Sequence, residues 1–364
     1  MTQLELIMNT DPNWEEALTT APYNLKVSHD GQYVMLKYNQ LESDMALAGV
    51  QEARGIIFKE ANGGYECVCH PFHKFFNYGE QYAATIDWNT AIVTEKVDGS
   101  LMKVWYDDGW HLSTNGTIDA FKAPVSDQGI TFGELFEEIL GSPLNKFFKH
   151  WDRGLTYLFE MTSMRSRCTI SYPDRIYMLG WIITKTGVEV PVGDSWRKFA
   201  FEEWGLWSPK KYKMSSLTEC IAAANLMSKD EEGFVVRDKQ GNRIKVKSPE
   251  YLLAAHLANN GALTRGRILE AICNDQVDDL VAYVPYAKQL VNEVKNDFND
   301  YASHMVARWV WMDKPDDRKL FAAEACKYPY SRYLFAKYEG NKVDAWEWLK
   351  SQSVSRLKEM LGYK

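Results

Sequence analysis

The chain has 364 residues, of which 46% are hydrophobic and 25% charged, and this length predicts two globular domains. Its formal net charge of −7 argues against a protein that coats nucleic acid unspecifically, so any nucleic-acid substrate would bind along a defined basic groove. Because no apolar run is long enough to cross a bilayer, the N-terminus lacks a signal-peptide pattern and the six cysteines are dispersed, we expect a soluble cytoplasmic protein with reduced thiols.

Short strand-like segments dominate the first two thirds of the chain. They are rich in β-branched and aromatic residues, and the turn residues at 107–109 and 239–242 are typical of hairpins. Helical patterns interrupt them at 131–148 and 216–227. The predicted strands are 55–58, 91–94, 101–106, 155–159, 176–179, 233–236 and 244–246.

The pattern becomes helical from Ser248, where a capping serine precedes a proline in the first turn. The predicted helices are 251–257, 265–273, 280–311, 320–338 and 345–361. We therefore expect an α+β domain of residues 1–247 and an all-helical domain of residues 248–364.

The chemistry is expected at Lys96, which begins a KxDG sequence between two predicted strands. A lysine at a strand end before a glycine turn suits a nucleophile that a large ligand approaches, although a short motif of this kind also occurs in ordinary surface turns. Glu160 and Glu232 follow in or beside later strands. Lys245 and Lys247 share one face of their strand, where two cations call for an anionic partner or for solvent.

This ordered set resembles the covalent nucleotidyltransferases, which include ATP-dependent DNA and RNA ligases and mRNA capping enzymes. It is most similar to the RNA ligase 1 family of T-even phages, the tRNA-repair ligases. The segments 54–58 and 74–77 resemble two elements upstream of that family's nucleophile, and Glu160 followed by Arg167 resembles its strand glutamate and downstream arginine. The resemblance implies a ligase-type domain of antiparallel sheets with flanking helices, and the helical C-terminal domain favours RNA over DNA ligation and capping.

The family implies three chemical steps. Lys96 attacks the α-phosphorus of ATP to form a lysyl-AMP, the AMP passes to an RNA 5′-phosphate, and a 3′-hydroxyl then displaces it. A lysine has a reference pKa near 10.4, so nearby cations and a bound Mg²⁺ or Mn²⁺ would have to activate it. The implied partner is RNA with 5′-phosphate and 3′-hydroxyl ends, with nicked tRNA as a candidate, and the implied setting is a phage repair enzyme in a bacterial host.

The resemblance also implies a role for each matched residue. Lys96, Lys245 and Lys247 would be catalytic, Glu160 and Glu232 would bind metal, and Arg167 is a candidate for RNA phosphate. The nucleotide-binding set comprises Arg54, Lys74, Phe76, Glu95, Lys96, Gly99, Asn115, Glu160, Tyr177, Glu232, Lys245 and Lys247. Of these, Phe76 and Tyr177 either pack near the adenine or belong to the core.

One position departs from the family pattern. Asn115 stands before Gly116 where the family has a lysine, so an amide replaces a cation that would bind phosphate. Lys103 and Lys122 are the candidates to compensate.

Other interpretations stay open at this point. A DNA ligase, a capping guanylyltransferase or a non-catalytic RNA-binding module would carry similar motifs. A zinc site at Cys67, Cys69 and His70 is disfavoured, because neighbouring strand residues face opposite sides and no second cysteine pair follows at ligand spacing.

Overall fold

The computed structural model describes residues 1–40, 42–125, 129–166, 170–228, 230–252, 264–273, 277, 281 and 287–363. The chain divides into two compact units, Met1–Asn259 and Asn260–Lys364. This division falls within the undescribed segment 253–263, so the boundary at 247/248 stays a prediction.

Three β-sheets form the framework of the first unit. The first has the strand order β1-β2-β3-β4, the second β11-β10-β9-β7-β8 and the third β12-β6-β13-β14-β5. All pairings between these strands are antiparallel except that of β14 with β5, which is parallel. The strands are β1 Lys26–Asp30, β2 Tyr33–Lys37, β3 Arg54–Ala61, β4 Gly64–Cys69, β5 Phe76–Asn77, β6 Ile92–Glu95, β7 Ser100–Tyr106, β8 Trp110–Thr114, β9 Leu155–Thr162, β10 Arg175–Ile183, β11 Glu189–Val190, β12 Lys211–Tyr212, β13 Gly233–Arg237 and β14 Arg243–Lys247.

Both predicted hairpins are confirmed. Asp108 turns between β7 and β8 with φ +52°, and Gly241 turns between β13 and β14 with φ +89°. Asparagine, aspartate and glycine tolerate such positive φ values better than other residues, which explains why these turn sequences were recognisable.

Short helices pack around the sheets of the first unit. They are α1 Gln3–Thr10, α2 Trp14–Thr19, α3 Ala48–Glu52, α4 Phe132–Leu140, α5 Leu144–Phe147, α6 Asp194–Trp204 and α7 Leu217–Ala224, with a 3₁₀ turn at Ala120–Lys122. The prediction of one continuous helix over 131–148 is wrong. Gly141 ends α4 in the left-handed conformation, and Pro143 then separates it from α5.

The third sheet turns one face to a core and leaves the other for the site. Phe234, Val236, Ile244 and Val246 are buried in a cluster against α7. Because side chains alternate along a strand, Lys245 and Lys247 project from the opposite face. The predicted pairing of these two lysines on one face is therefore confirmed.

The second unit is helical wherever the structure describes it. Its helices are α8 Arg265–Cys273, α9 Ala287–Trp311, α10 Arg318–Ala325, α11 Ser331–Tyr338, α12 Ala345–Lys350 and α13 Val354–Leu361. The predicted helices 320–338 and 345–361 are each broken in two, the first next to Pro329 and the second at 351–353. Of the predicted helix 251–257, residues 253–257 lie outside the described residues. None of the described helices is both long and apolar enough to cross a membrane.

Candidate active site

The KxDG segment links two of the sheets. It leaves the third sheet at the end of β6, at Glu95, and enters the second at the start of β7, at Ser100. The backbone N–H of Lys96 donates to the carbonyl of Gly233 at 2.8 Å, and that of Gly99 donates to Oε1 of Glu160 at 3.2 Å. The segment is thus fixed at one end by β13 and at the other by β9.

Glu232 joins the predicted nucleophile to the end of β14. Its carboxylate, only 2% exposed, accepts from Lys96 Nζ at 2.7 Å through Oε2 and pairs with Lys247 Nζ at 2.8 Å through Oε1. Charge-assisted bonds of this length are strong in a partly desolvated site. One carboxylate therefore orients two lysine ammonium groups, and the three residues carry a net positive charge.

Glu160 lies beside this group, on β9. Burial raises the pKa of its carboxyl to about 7; the nearby charge of Lys96 opposes this rise and that of Glu232 adds to it. Two carboxylates that repel each other across a site are the hard oxygen donors that a divalent cation prefers, with substrate phosphates completing the shell. The described residues hold no group of three or more His, Cys, Asp or Glu that could bind a metal by themselves.

Two glycines are required by the close packing of the segment. A Cβ on Gly99 would stand 2.5 Å from the carbonyl oxygen of Met161, a backbone atom that cannot give way easily. Gly233 has φ +134°, and a Cβ there would collide with the carbonyl of Val246. A side chain at either position would push Lys96 or Glu160 out of place.

Aromatic faces support the predicted phosphate-binding cations. The guanidinium of Arg54 lies 5.0 Å from the ring centre of Phe75, and Lys245 Nζ lies 5.4 Å from the same ring. Lys74 Nζ lies 4.9 Å from the ring of Tyr38 and 5.4 Å from that of Phe76. These distances are in the range of cation–π attraction, so the aromatic rings help to hold the three cations in place.

The two candidate adenine-packing residues are both largely buried. Phe76 lies on β5 directly beside Ile244 of β14, and Tyr177 lies opposite Glu160 in the pairing of β10 with β9. The Tyr177 hydroxyl accepts from Arg175 Nη1 at 3.3 Å. Both rings are close to residues of the predicted site, and their part in binding adenine stays a prediction.

Glu95 is fixed by the segment before β12. Its backbone N–H donates to the carbonyl of Lys210 at 2.8 Å, and its Oε2 accepts from the Lys210 N–H at 3.2 Å. This pair of bonds holds the residue that precedes Lys96.

A family model described as RNA ligase, of the T4 RNA ligase 1 type, matches residues 52–251, which is more than half of the chain. The chain belongs to this RNA ligase family. The RNA ligase family that the motifs indicated is thereby confirmed, and the antiparallel sheets with surrounding helices agree with the predicted α+β architecture of the first domain.

Relatives of this chain occur in viruses. A putative bifunctional polynucleotide kinase/RNA ligase of Autographa californica nuclear polyhedrosis virus is 29% identical over 290 residues, which are 73% of this chain and 40% of the relative's length. An RNA ligase of Rhodothermus phage RM378 is 22% identical over 358 residues, covering 79% of this chain and 81% of the relative. Among solved structures, an archaeal ATP-dependent RNA ligase matches 99% of this chain and 80% of its own with 13% identity and a TM-score of 0.46.

Some predicted residues of the ligase lie away from the site or outside the described part. Arg167, the candidate for RNA phosphate, belongs to the undescribed segment 167–169. Its neighbour Arg165 pairs with Glu138 at 2.8 Å and with Asp174 at 3.2 Å. Lys122, one candidate to compensate for Asn115, is exposed and pairs with Asp30, so only Lys103 of the two candidates is placed near the site.

Three residues of the site were missed from the sequence. Oδ2 of Asp98 accepts from the N–H of Ile170 at 2.9 Å, and its Oδ1 accepts from the hydroxyl of Tyr251 at 3.2 Å. Burial raises the pKa of the Tyr172 hydroxyl, and the nearby charges of Glu95, Glu232 and Asp98 raise it further. Asp98 stands inside the KxDG sequence and could have been singled out, whereas nothing in the sequence marks Tyr172 or Tyr251.

Proposed function

We propose that this RNA ligase joins RNA 5′-phosphate and 3′-hydroxyl ends through a covalent AMP on Lys96. The observation that carries the proposal is the position of Lys96 on the segment between two sheets. The carboxylate of Glu232 contacts the ammonium groups of both Lys96 and Lys247 there. A lysine with an oriented amine beside several cations suits attack on a phosphorus that bears negative oxygens.

In the first step the Lys96 amine attacks the α-phosphorus of ATP. The amine gives up one proton to solvent before attack, the new N–P bond forms as the bond to the bridging oxygen breaks, and pyrophosphate leaves with the electron pair. A second proton on the nitrogen then passes to solvent. Glu232, at 2.7 Å, holds the Lys96 side chain in one orientation. The charges of Lys245, Lys247, Arg54 and Lys74 would offset the negative charge that develops on the phosphate oxygens.

Glu160 and Glu232 are the residues that would hold a divalent metal, for which we propose Mg²⁺ or Mn²⁺. The raised pKa of Glu160, to which the charge of Glu232 contributes, fits a pair of carboxylates that a bound cation would stabilise. When bound, the ion would add positive charge at the phosphates.

In the second and third steps an RNA end replaces the pyrophosphate. The 5′-phosphate oxygen attacks the AMP phosphorus and releases Lys96, and the 3′-hydroxyl oxygen then attacks the activated 5′-phosphorus, loses its proton and expels AMP. We propose that the helical domain of residues 248–364 recognises the RNA, with nicked tRNA as the candidate substrate.

A ligation assay tests this proposal. RNA with a 5′-phosphate and a 3′-hydroxyl, ATP and Mg²⁺ or Mn²⁺ should give a sealed product, and EDTA should abolish it. In parallel reactions, DNA with the same ends replaces the RNA, and GTP replaces ATP. Sealing of DNA alone, or a protein label from GTP and none from ATP, would contradict the proposal in favour of a DNA ligase or a capping enzyme.

A further inference from the structure

Lys103 is a fully buried lysine that the proposed chemistry does not use. It lies on β7 with no exposed surface, and its ammonium donates to the carbonyl of Gly55. Among the residues that the structure describes, no carboxylate pairs with it. The ionisable groups that bear on it are Cys69 and the cations Lys37 and Arg54.

The charge of Lys103 is not balanced by Cys69. Burial raises the pKa of the Cys69 thiol to about 11, so this thiol is neutral at pH 7. Burial and the two neighbouring cations lower the pKa of Lys103 to about 8, which leaves it mostly charged at neutral pH. A buried charge without a counterion is costly, and groups perturbed in this way cluster at functional sites, where an anionic ligand would supply the missing negative charge.

The ammonium of Lys103 and the backbone of Asn115 both lie next to Gly55. Gly55 has φ +80°, and a Cβ there would be 2.8 Å from Lys103 Nζ and 2.7 Å from the Asn115 carbonyl oxygen. Lys37 lies opposite Arg54 in the pairing of β2 with β3. Its Nζ is 3.8 Å from the position that a Cβ on Gly116 would occupy. Lys103 and Lys37 thus lie next to the 115–116 turn, where the family pattern has a lysine and this chain has an amide, and Arg54 is near enough to Lys103 for its charge to act on it.

Two polar atoms at this place are ready for a ligand. Nη1 of Arg54 and the side-chain oxygen of Asn115 are buried, and neither has a hydrogen-bond partner in the described part of the chain. The unused Arg54 donor and the positive field together match the oxygens of a phosphate group.

We propose that Lys103 is a positioning residue that, with Lys37, supplies the positive charge absent at Asn115, so that Arg54 and the 115–116 turn bind the terminal phosphates of ATP and the pyrophosphate product. The proposal rests on the proposed function, because the ATP is the substrate of that reaction. Lys103 acts through the Arg54–Gly55 backbone and does not touch the reacting atoms.

The test separates ATP binding from sealing. In Lys103→Met, which keeps the volume of the side chain, we expect the KM for ATP in lysyl-AMP formation to rise on the order of tenfold. Sealing of RNA that is already adenylylated needs no terminal phosphates, and its rate should change less than about twofold. Adding Asn115→Lys to Lys103→Met should lower the KM again, and Lys122→Met, a change at an exposed lysine, is the matched control.

An unchanged KM for ATP in Lys103→Met would overturn the proposal. So would an equal loss in the sealing of adenylylated RNA, or a KM that Asn115→Lys does not lower, because a purely structural lysine gives these results. If Lys103→Met does not fold, Lys37→Met replaces it and must raise the KM for ATP in the same way. Wild-type protein that forms no AMP adduct would instead contradict the proposed function, so the two failures are distinguishable.

Discussion

Glu232 is the residue on which the geometry of the site depends most. Each of its two oxygens holds a different lysine, one from the segment between the sheets and one from the end of β14. An uncharged replacement would remove the negative charge that both ammonium groups contact.

Glu232→Gln tests this dependence. We expect lysyl-AMP formation to fall on the order of 100-fold and the free energy of unfolding to fall by about 2 kcal/mol, because a charged acceptor and a proposed metal ligand are lost together. Glu231→Gln, at the exposed neighbouring position, should change neither. The measurements are the rate of AMP transfer from labelled ATP and urea unfolding. Equal effects of the two substitutions would contradict this role.

Gly99→Ala is expected to disable the segment that carries Lys96. The added Cβ would stand 2.5 Å from a backbone oxygen on β9, so the segment or the strand must shift. We expect adenylylation to fall at least about tenfold, with a loss of stability of about 2 kcal/mol. Gly109→Ala is the control, because its nearest neighbour would be 3.7 Å away. A normal adenylylation rate in Gly99→Ala would show that the close contact is unimportant.

The buried charge of Lys103 predicts a dependence of stability on pH. Because the pKa of Lys103 is lowered to about 8 in the folded protein and is near 10.4 when unfolded, the unfolded state binds more protons between these values, and stability rises with pH there. Relative to Lys103→Met, the wild type should therefore gain about 2 kcal/mol of unfolding free energy between pH 7 and pH 10. Urea unfolding at both pH values measures this. A constant difference between the two proteins would contradict it.

Among single residues, those with a charged role were the easiest to predict from the sequence. Lys96, Glu232 and Lys247 were all named, and the structure brings them together. Lys103 could be named only as a candidate to compensate for Asn115. Its burial depends on a strand whose two faces are both covered, which alternation along the sequence cannot reveal.

At the scale of elements, the site depends on links between sheets. Asp98 ties the Lys96 segment to the backbone at Ile170 and to Tyr251, which follows β14. The ammonium of Lys247 lies 5.4 Å from the ring of the same tyrosine. The Tyr251 hydroxyl therefore couples the end of β14 to the nucleophile segment, in addition to the link through Glu232.

Tyr251→Phe tests the coupling by removing only that hydroxyl. We expect a loss of about 1 kcal/mol in stability and a several-fold slower AMP transfer, with the KM for ATP little changed. Tyr65→Phe is the control, since the Tyr65 hydroxyl has no hydrogen-bond partner among the described residues. An equally small effect of both substitutions on AMP transfer would show that the link has no part in catalysis.

Elements with local signals were predicted well, and those that depend on distant partners were not. The hairpins of β7 with β8 and β13 with β14 follow from their turns and alternation. The parallel pairing of β5 with β14 joins segments far apart in the chain, and neither segment encodes it alone. The broken helices were overpredicted because apolar spacing continued across Gly141 and Pro329, although both residues are helix-ending signals.

At the scale of the whole molecule, the described site residues all lie in the first of the two compact units, Met1–Asn259. We expect a fragment of these residues to form the lysyl-AMP at a rate within about tenfold of the full chain. Its sealing of RNA ends should be weaker, because the proposed RNA-recognition domain is removed. A folded fragment that forms no adduct would show that the second unit is needed for the first chemical step.

The two-part organisation was predictable because the hydrophobic pattern changes from strand-like to helical along the chain. The division by contacts falls in a segment that the structure does not describe, so the position of the boundary stays a prediction. The RNA ligase family followed from the order of the motifs. Its RNA substrate did not, since recognition of RNA depends on surfaces that no short motif specifies.

The most direct test of the account is the mass of the protein after incubation with ATP and Mg²⁺ or Mn²⁺, followed by mapping of the modified peptide. We predict the added mass of one AMP on Lys96, absent from Lys96→Ala and released as free AMP or adenylylated RNA when 5′-phosphorylated RNA is supplied. An adduct on another residue, or folded protein that acquires none with either metal, would contradict the assignment of Lys96 as the nucleophile.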